Sequence, residues 1–251
     1  MNELLGRLQR ALARQRAFVA DAGHELRNPL AVLRGELELA GRPGRDRDEL
    51  AEAIQRAATE AERISRITDG LLLLARGDED KLGLRLERTD VAALLCRCAA
   101  TAKARLALAA GVGTLAGPDV RADVSADLAA VLDPDRIRAA IDNLIDNALR
   151  FAPSGSVIVL AAWADGADLI VEVRDDGPGF AAGFLPHAFE RFRRPDSGRS
   201  RDDGGAGLGL AIVRAIAIAH GGTASAANKP GGGAVVRLYV PAAVATDAHT
   251  S

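Results

Sequence analysis

Residues 21–30 read "DAGHELRNPL", which places a histidine, an adjacent glutamate and a proline within a stretch of helical period. Around it Val19, Ala22, Leu26, Leu30, Leu33 and Leu37 recur at steps of three and four, the spacing of one helix face. A second series, Leu50, Ile54, Ala57, Ala61, Ile64, Ile67, Leu71 and Leu74, repeats that spacing. Between them "GRPGRDRDEL" (41–50) breaks one helix and supplies acids for the start of the next. Residues 1–78 therefore predict a helical hairpin with one apolar seam on each helix. Two helices alone bury too little apolar surface to be stable. A second copy is expected, giving a four-helix bundle across a homodimer.

At about 100° per residue, His24 stands roughly 200° around the helix from Leu26, so its imidazole is expected in solvent. Glu25 adjoins it, placed to orient the ring or take its proton and leave one ring nitrogen as a nucleophile. Pro29 lacks an N–H and frees the carbonyl of Glu25, which predicts a bend just past the histidine. Asn28 lies one turn beyond His24 on the same side, where its amide is set to hold a water near the ring. The plainer account of the same residues is a surface histidine on a kinked helix.

The rest of the chain has a different grammar. "LRLERTD" (84–90) reads as a strand leading into the helix "VAALLCRCAATAKARLALAA" (91–110). "SVIVLAAWADGADLIVEVRDDG" (156–177) reads as two strands joined at Asp165-Gly166, and "TASAANKPGGGAVVRLYV" (223–240) as a second hairpin with a glycine-rich turn. Helices are predicted at about 134–151 and 207–219. Residues 84–243 thus predict an α+β domain, helices packed on one face of a sheet.

Composition removes several classes. The 251 residues carry a formal charge of −2, which gives no reason to expect a nucleic-acid partner. Aromatics are only 3%, so Leu, Ala, Val and Ile must fill the core. No apolar run approaches the roughly 20 residues of a membrane span. A secretory leader is not expected either, because the Arg-rich start has no apolar segment. Cys96 and Cys98 lie two apart on a predicted helix and point in different directions, so they suit neither a disulfide nor a metal clip.

Four further stretches carry chemistry. In "IDNLIDNALRF" (141–151), Asn143, Asn147 and Arg150 share one helix face and present two amides and a guanidinium, groups suited to a metal ion and its phosphates. In "VEVRDDGPGF" (171–180) a strand runs into a carboxylate followed by glycines, which suits an exocyclic amine and a close backbone approach to a ligand. "FERFRRPDSGRSRDD" (189–203) is Arg-rich and turn-rich, suited to a lid over an anion. In "GGAGLGLAIVRAIAIAHGG" (204–222) glycines lead into a helix, which points backbone N–H groups at phosphate. Taken singly, each stretch also reads as an ordinary polar face, turn or loop.

Their order is the strong signal. "FVADAGHELRNPLAVLRGELELA" (18–40) resembles the phosphoacceptor segment of two-component sensor histidine kinases, with Gly23 for a common serine and Asn28 for a common threonine. The four later stretches resemble the asparagine, first glycine, phenylalanine and second glycine boxes of the ATP-binding domain in that family. The resemblance covers about residues 15–241 and implies an α/β sandwich of the Bergerat type, shared with gyrase-like ATPases. It implies His24 as phosphoacceptor, with Glu25 and Asn28 as its catalytic neighbours. For the nucleotide it implies Asn143, Asn147, Arg150, Phe151, Asp175, Gly177, Gly179, Phe189, Phe192, Gly205, Gly207, Leu208, Gly209 and Leu210. Asn147 is the implied magnesium ligand and Asp175 the implied adenine partner. Ala206 replaces a common serine or threonine, so one hydroxyl contact is lost.

In gyrase-like relatives a glutamate stands at the place of Asn143 and activates water. An amide cannot do so, which favours transfer to a side chain over hydrolysis. The resemblance accordingly implies ATP and Mg2+ as cofactors and passage of the phosphoryl group from His24 to an aspartate of a response-regulator receiver domain. It also implies a second, phosphatase activity toward that regulator, with Asn28 positioning water. The alternative is a nucleotide-binding dimeric scaffold, or a phosphatase-biased signalling protein, without net kinase turnover. "NELLGRLQRALARQRAF" (2–18) resembles the end of a signal-transmitting helix. The expected location is therefore cytoplasmic, either as a portion of an inner-membrane sensor whose upstream region is absent here or as a soluble kinase.

Overall fold

The computed structural model describes residues 2–42, 44, 46–78, 82–109, 117–194, 205–242 and 244–246. It divides into two compact units, residues 1–73 and 74–251. The first is the expected hairpin. Helix α1 spans Asn2–Ala40 and runs without interruption through Pro29; α2 spans Arg47–Asp78, with Asp48 and Glu49 in its first turn. Acids there complement the positive end of the helix. An ion pair at 2.9 Å joins Glu36 of α1 to Arg56 of α2. Ala53, Ala57 and Ile67 are buried, whereas Val19, Leu30, Leu37, Leu50 and Ile54 stay exposed. The seam read from the sequence is therefore split. Leu26 and Leu33 are half-buried, while Leu30 and Leu37 between and beyond them face out.

The second unit begins with β1 (Glu87–Asp90) and α3 (Val91–Ala109), followed by β2 (Asp119–Val124) and β3 (Leu128–Leu132). Then come α4 (Pro134–Phe151), β4 (Val157–Asp165), β5 (Asp168–Arg174), a 3-10 turn at Leu185–His187, and α5 (Gly209–Ala219). Strands β6 (Thr223–Asn228), β7 (Ala234–Pro241) and β8 (Val244–Thr246) complete it. Five strands form a sheet in the order β2-β4-β5-β7-β6, and β1-β3-β8 form a smaller one. Helix α4 lies between α3 and α5, and these helices pack on strands β2, β4, β5, β6 and β7. This is the α/β sandwich that the sequence predicts.

Register explains why the sheet has one apolar face. Leu160 pairs with Val173 and Val173 with Val236; Ala162 pairs with Val171 and Val171 with Leu238. All six are buried, so each cross-strand row presents apolar groups to the helices. The alternate rows carry Glu172 opposite Arg237, joined by an ion pair, and Trp163 and Tyr239 flanking Ile170. Cys98 packs in the core, where burial pushes its thiol up to about 11, and Cys96 is exposed. Both cysteines are free, as their spacing requires.

Strand assignment departs from the sequence expectation at several places. Only Glu87–Asp90 of the segment 84–90 is a strand. Strands β2, β3 and β8 were not expected, nor was the parallel pairing of β2 with β4. Segment 119–130 is rich in Asp and Ala, weak strand formers that are held here by non-local pairing.

One buried carboxylate ties three elements together. Asp133 caps α4, its Oδ1 accepting from the Arg136 N–H at 3.0 Å. Its Oδ2 accepts from the Arg85 N–H at 2.9 Å, and its own N–H donates to Nε2 of His220 at the end of α5. Replacing Asp133 by Ala leaves two backbone donors unsatisfied in a buried place. Urea unfolding of Asp133→Ala is expected to show a loss of about 2 kcal/mol.

Candidate functional site

His24 projects from the exposed face of α1, as the periodicity requires. Nη1 of Arg27 lies 3.4 Å from its Nδ1. Arginine only donates, so this contact holds while Nδ1 carries the lone pair and the ring proton is on Nε2. Glu25 is half-buried and Asn28 exposed, the latter one turn beyond the histidine.

The residues expected to bind nucleotide lie on the second unit, and glycines mark where several of their segments touch. A Cβ on Gly209 would lie 3.3 Å from Oδ1 of Asn143, and one on Gly205 would lie 3.0 Å from the Arg150 guanidinium. These two approaches lock α4 to the start of α5. Gly207 has φ +67, and a Cβ there would fall 2.8 Å from the backbone of Phe192. Phe192 itself has φ +58 and donates its N–H to the Gly207 carbonyl at 3.0 Å. A phenylalanine in the left-handed region is strained, so this junction is held by its surroundings.

Asp175 sits at the end of β5, 7% exposed. Its Oδ1 accepts from the N–H of Gly177 at 2.8 Å and of Ala234 at 3.2 Å. Its Oδ2 makes no hydrogen bond among the described residues, which leaves one acceptor for a ligand amine. A Cβ on Gly177 would lie 2.9 Å from both the Asp175 carboxylate and the Phe151 carbonyl. The sequence assigns these glycines to close approach by a ligand. The structure adds that Gly177 also stands close against the protein's own groups.

The turn after β6 was missed as part of the site. Lys229 donates to the Asp175 carbonyl at 3.1 Å and to Oδ1 of Asp176 at 2.6 Å. That hydrogen bond holds the Asp176 carboxyl below the usual carboxylate range. Gly233 has φ +95 and passes so close to the Asp175 carbonyl that a Cβ would collide with it. The run "NKPGGG" (228–233) announces a turn, and nothing local announces what it touches.

Other assigned residues fall into place unevenly. Nδ2 of Asn143 turns back to the Ala139 carbonyl at 2.7 Å, and the Asn147 amide makes no hydrogen bond among the described residues. The Arg150 guanidinium stacks 5.1 Å over the ring of Phe151, which is 43% exposed. Leu208 and Leu210 are buried, so they can reach a nucleotide only through backbone N–H groups. Helix α5 has no side-chain cap, which leaves its first N–H groups to an outside acceptor. Phe189 instead lines a cavity of about 350 Å³ with Pro186, Glu190, Arg214, Ile218, Thr223 and Ala224. Of the expected lid, residues 195–203 lie outside the described residues.

Among the described residues, no cluster of three His, Cys, Asp or Glu side chains could hold a metal. A lone amide oxygen such as that of Asn147 suits Mg2+ delivered with phosphates, because Mg2+ keeps most of its ligands as water and phosphate oxygen.

Known proteins resemble both units of the chain. The His Kinase A (phospho-acceptor) domain model matches residues 14–80, and the histidine kinase-, DNA gyrase B- and HSP90-like ATPase model matches residues 132–244. The chain belongs to the two-component sensor histidine kinases. It is 39% identical to the probable sensor histidine kinase TcrY of Mycobacterium tuberculosis over 92% of this chain and 48% of that protein. Among solved structures, the histidine kinase AdeS of Acinetobacter baumannii has a TM-score of 0.66 at 24% identity, covering 86% of this chain and 96% of that one. Full-length ShkA in complex with AMPPNP has a TM-score of 0.65 at 27% identity, covering 92% of this chain and 46% of that one. The chain spans about half the length of the curated relatives it matches. No described helix is long and apolar enough to cross a membrane.

Replacing Asp175 by Asn keeps an oxygen for the two N–H donors but puts an NH2 group where the sequence reading expects an amine to be received. Asp175→Asn is expected to fold normally and to bind ATP about 10- to 100-fold more weakly, measured by displacement of a fluorescent ATP analogue.

Proposed function

We propose that the chain is an ATP-dependent protein-histidine kinase that phosphorylates His24 and passes the phosphoryl group to an aspartate of a response-regulator receiver domain. The observation that carries this reading is the pairing of an exposed histidine on α1 with a nucleotide site whose residue 143 is an amide. No general base stands there to activate water, so the γ-phosphate waits for a nucleophile from elsewhere.

In the transfer, Nε2 of His24 forms the N–P bond as the bond from the γ-phosphorus to its bridging oxygen breaks and ADP leaves. Nε2 must then carry the lone pair, so the ring proton sits on Nδ1 and the contact with Arg27 is given up. Glu25 is the adjacent group to orient Nδ1–H and accept its proton. Asn147 would hold the Mg2+ that accompanies ATP, which neutralises phosphate charge. Arg150, the start of α5 and Asp175 position the two ends of the nucleotide, and positioning is the main source of rate in such a transfer.

The homodimer belongs to the same proposal. Leu12, Val19, Leu30 and Leu37 are all exposed and lie within about 20° of one another around α1. A stripe of that kind asks for a covering partner, and a second hairpin supplies a matching one. Residues 1–78 then form the dimerisation and phosphotransfer unit and residues 84–243 the catalytic unit. A cytoplasmic location and an upstream membrane sensor region complete the proposal. So does a regulator phosphatase activity, for which the exposed amide of Asn28 is placed to hold water.

Incubation with γ-labelled Mg-ATP tests it. Wild type is expected to retain acid-labile, alkali-stable label on the protein, and His24→Gln to retain none. Tight ATP binding with no label on wild type would favour the scaffold or phosphatase-biased alternative.

A further inference from the structure

Asn228 ends β6, 48 residues from the loop that follows Asp175. Its Oδ1 accepts the Phe180 N–H at 2.7 Å, and its Nδ2 donates to the Phe180 carbonyl at 2.8 Å. One primary amide thus satisfies both backbone groups of one residue, as a neighbouring strand would. Among the standard side chains only Asn and Gln carry a donor and an acceptor in that fork. Gly179 permits the approach, with φ +72 and an added Cβ only 2.7 Å from Oδ1 of Asn228.

We propose that Asn228 is a positioning residue for the purine base, clamping the backbone of Phe180 so that the loop from Asp175 to Gly179 presents the free carboxylate oxygen at a fixed place. The proposal rests on the nucleotide-site reading above. The loop is held at four points: the Asp175 carboxylate by Gly177 and Ala234, the Asp175 carbonyl by Lys229, the Asp176 carboxylate by Lys229 and the Val157 N–H, and its far end by Asn228. The first two secure Asp175 itself. Among the described residues Asn228 supplies both side-chain hydrogen bonds at the exit of the loop, where Gly179 and Phe180 are half-buried and the Phe180 ring stacks on Phe184. No atom of Asn228 is needed at the phosphates, so its contribution is felt by the base and not by the triphosphate.

Base discrimination in the full chain separates this role from general support of the fold. Displacement of a fluorescent ATP analogue by Mg-ATP and by Mg-GTP would be measured for wild type, Asn228→Ala and Asn228→Asp, with melting temperatures. GTP lacks the 6-amino donor that Asp175 receives, so it gains little from a fixed loop. Asn228→Ala is expected to weaken ATP about tenfold, the worth of two exposed hydrogen bonds, and to change GTP less than about twofold. Asn228→Asp keeps the acceptor but sets a carboxylate against the Phe180 carbonyl, so it should weaken ATP at least as much. Both variants are expected to melt close to wild type. Unchanged ATP affinity, or equal weakening of ATP and GTP, would overturn the proposal. Failure of wild type to bind ATP at all would overturn the nucleotide-site reading first.

Discussion

A buried carboxylate must find donors, and most of the nucleotide site follows from how Asp175 finds its own. Two backbone N–H groups meet one of its oxygens, from Gly177 in the next turn and from Ala234 on the neighbouring strand. That geometry pulls the β5 exit against the start of β7 closely enough to exclude side chains at residues 177 and 233. It also spends one oxygen on the fold and leaves the other without a hydrogen bond among the described residues.

The parts of the fold that were legible are those whose signals are local. Helix α4 announces itself by its period and by the Asp133-Pro134 start, and the β4–β5 hairpin by Asp165-Gly166 between apolar strands. Strands β2 and β3 carry no such signal. Their residues are poor strand formers, and β2 becomes a strand only because β4 lies parallel beside it after an intervening helix. The site shows the same division. The groups proposed for the chemistry, His24, Asn147 and Asp175, are named by the family resemblance of short local stretches. Groups that hold the Asp175 loop, Asn228 and Lys229, could not be so named, because each acts across about fifty residues of chain.

The glycines teach a related point. Their pattern carries the family resemblance, and their smallness also serves the chain's own contacts. Gly177, Gly179, Gly205, Gly207 and Gly209 each stand where a Cβ would press on another part of this chain within 3.3 Å. They are joints between segments that lie far apart in sequence, and the nucleotide site is the space those joints leave.

The alternate rows of the central sheet have an optical consequence. Trp163 and Tyr239, the single tryptophan and the single tyrosine of the chain, flank the same residue, Ile170, on the sheet. The hairpin contains neither. Ultraviolet emission from this protein therefore reports on one unit alone, while far-ultraviolet dichroism draws on the helices of both. Heating the protein under both signals sets the melting of one unit against that of the whole without any label, and a difference between the two midpoints shows that the units melt as independent bodies.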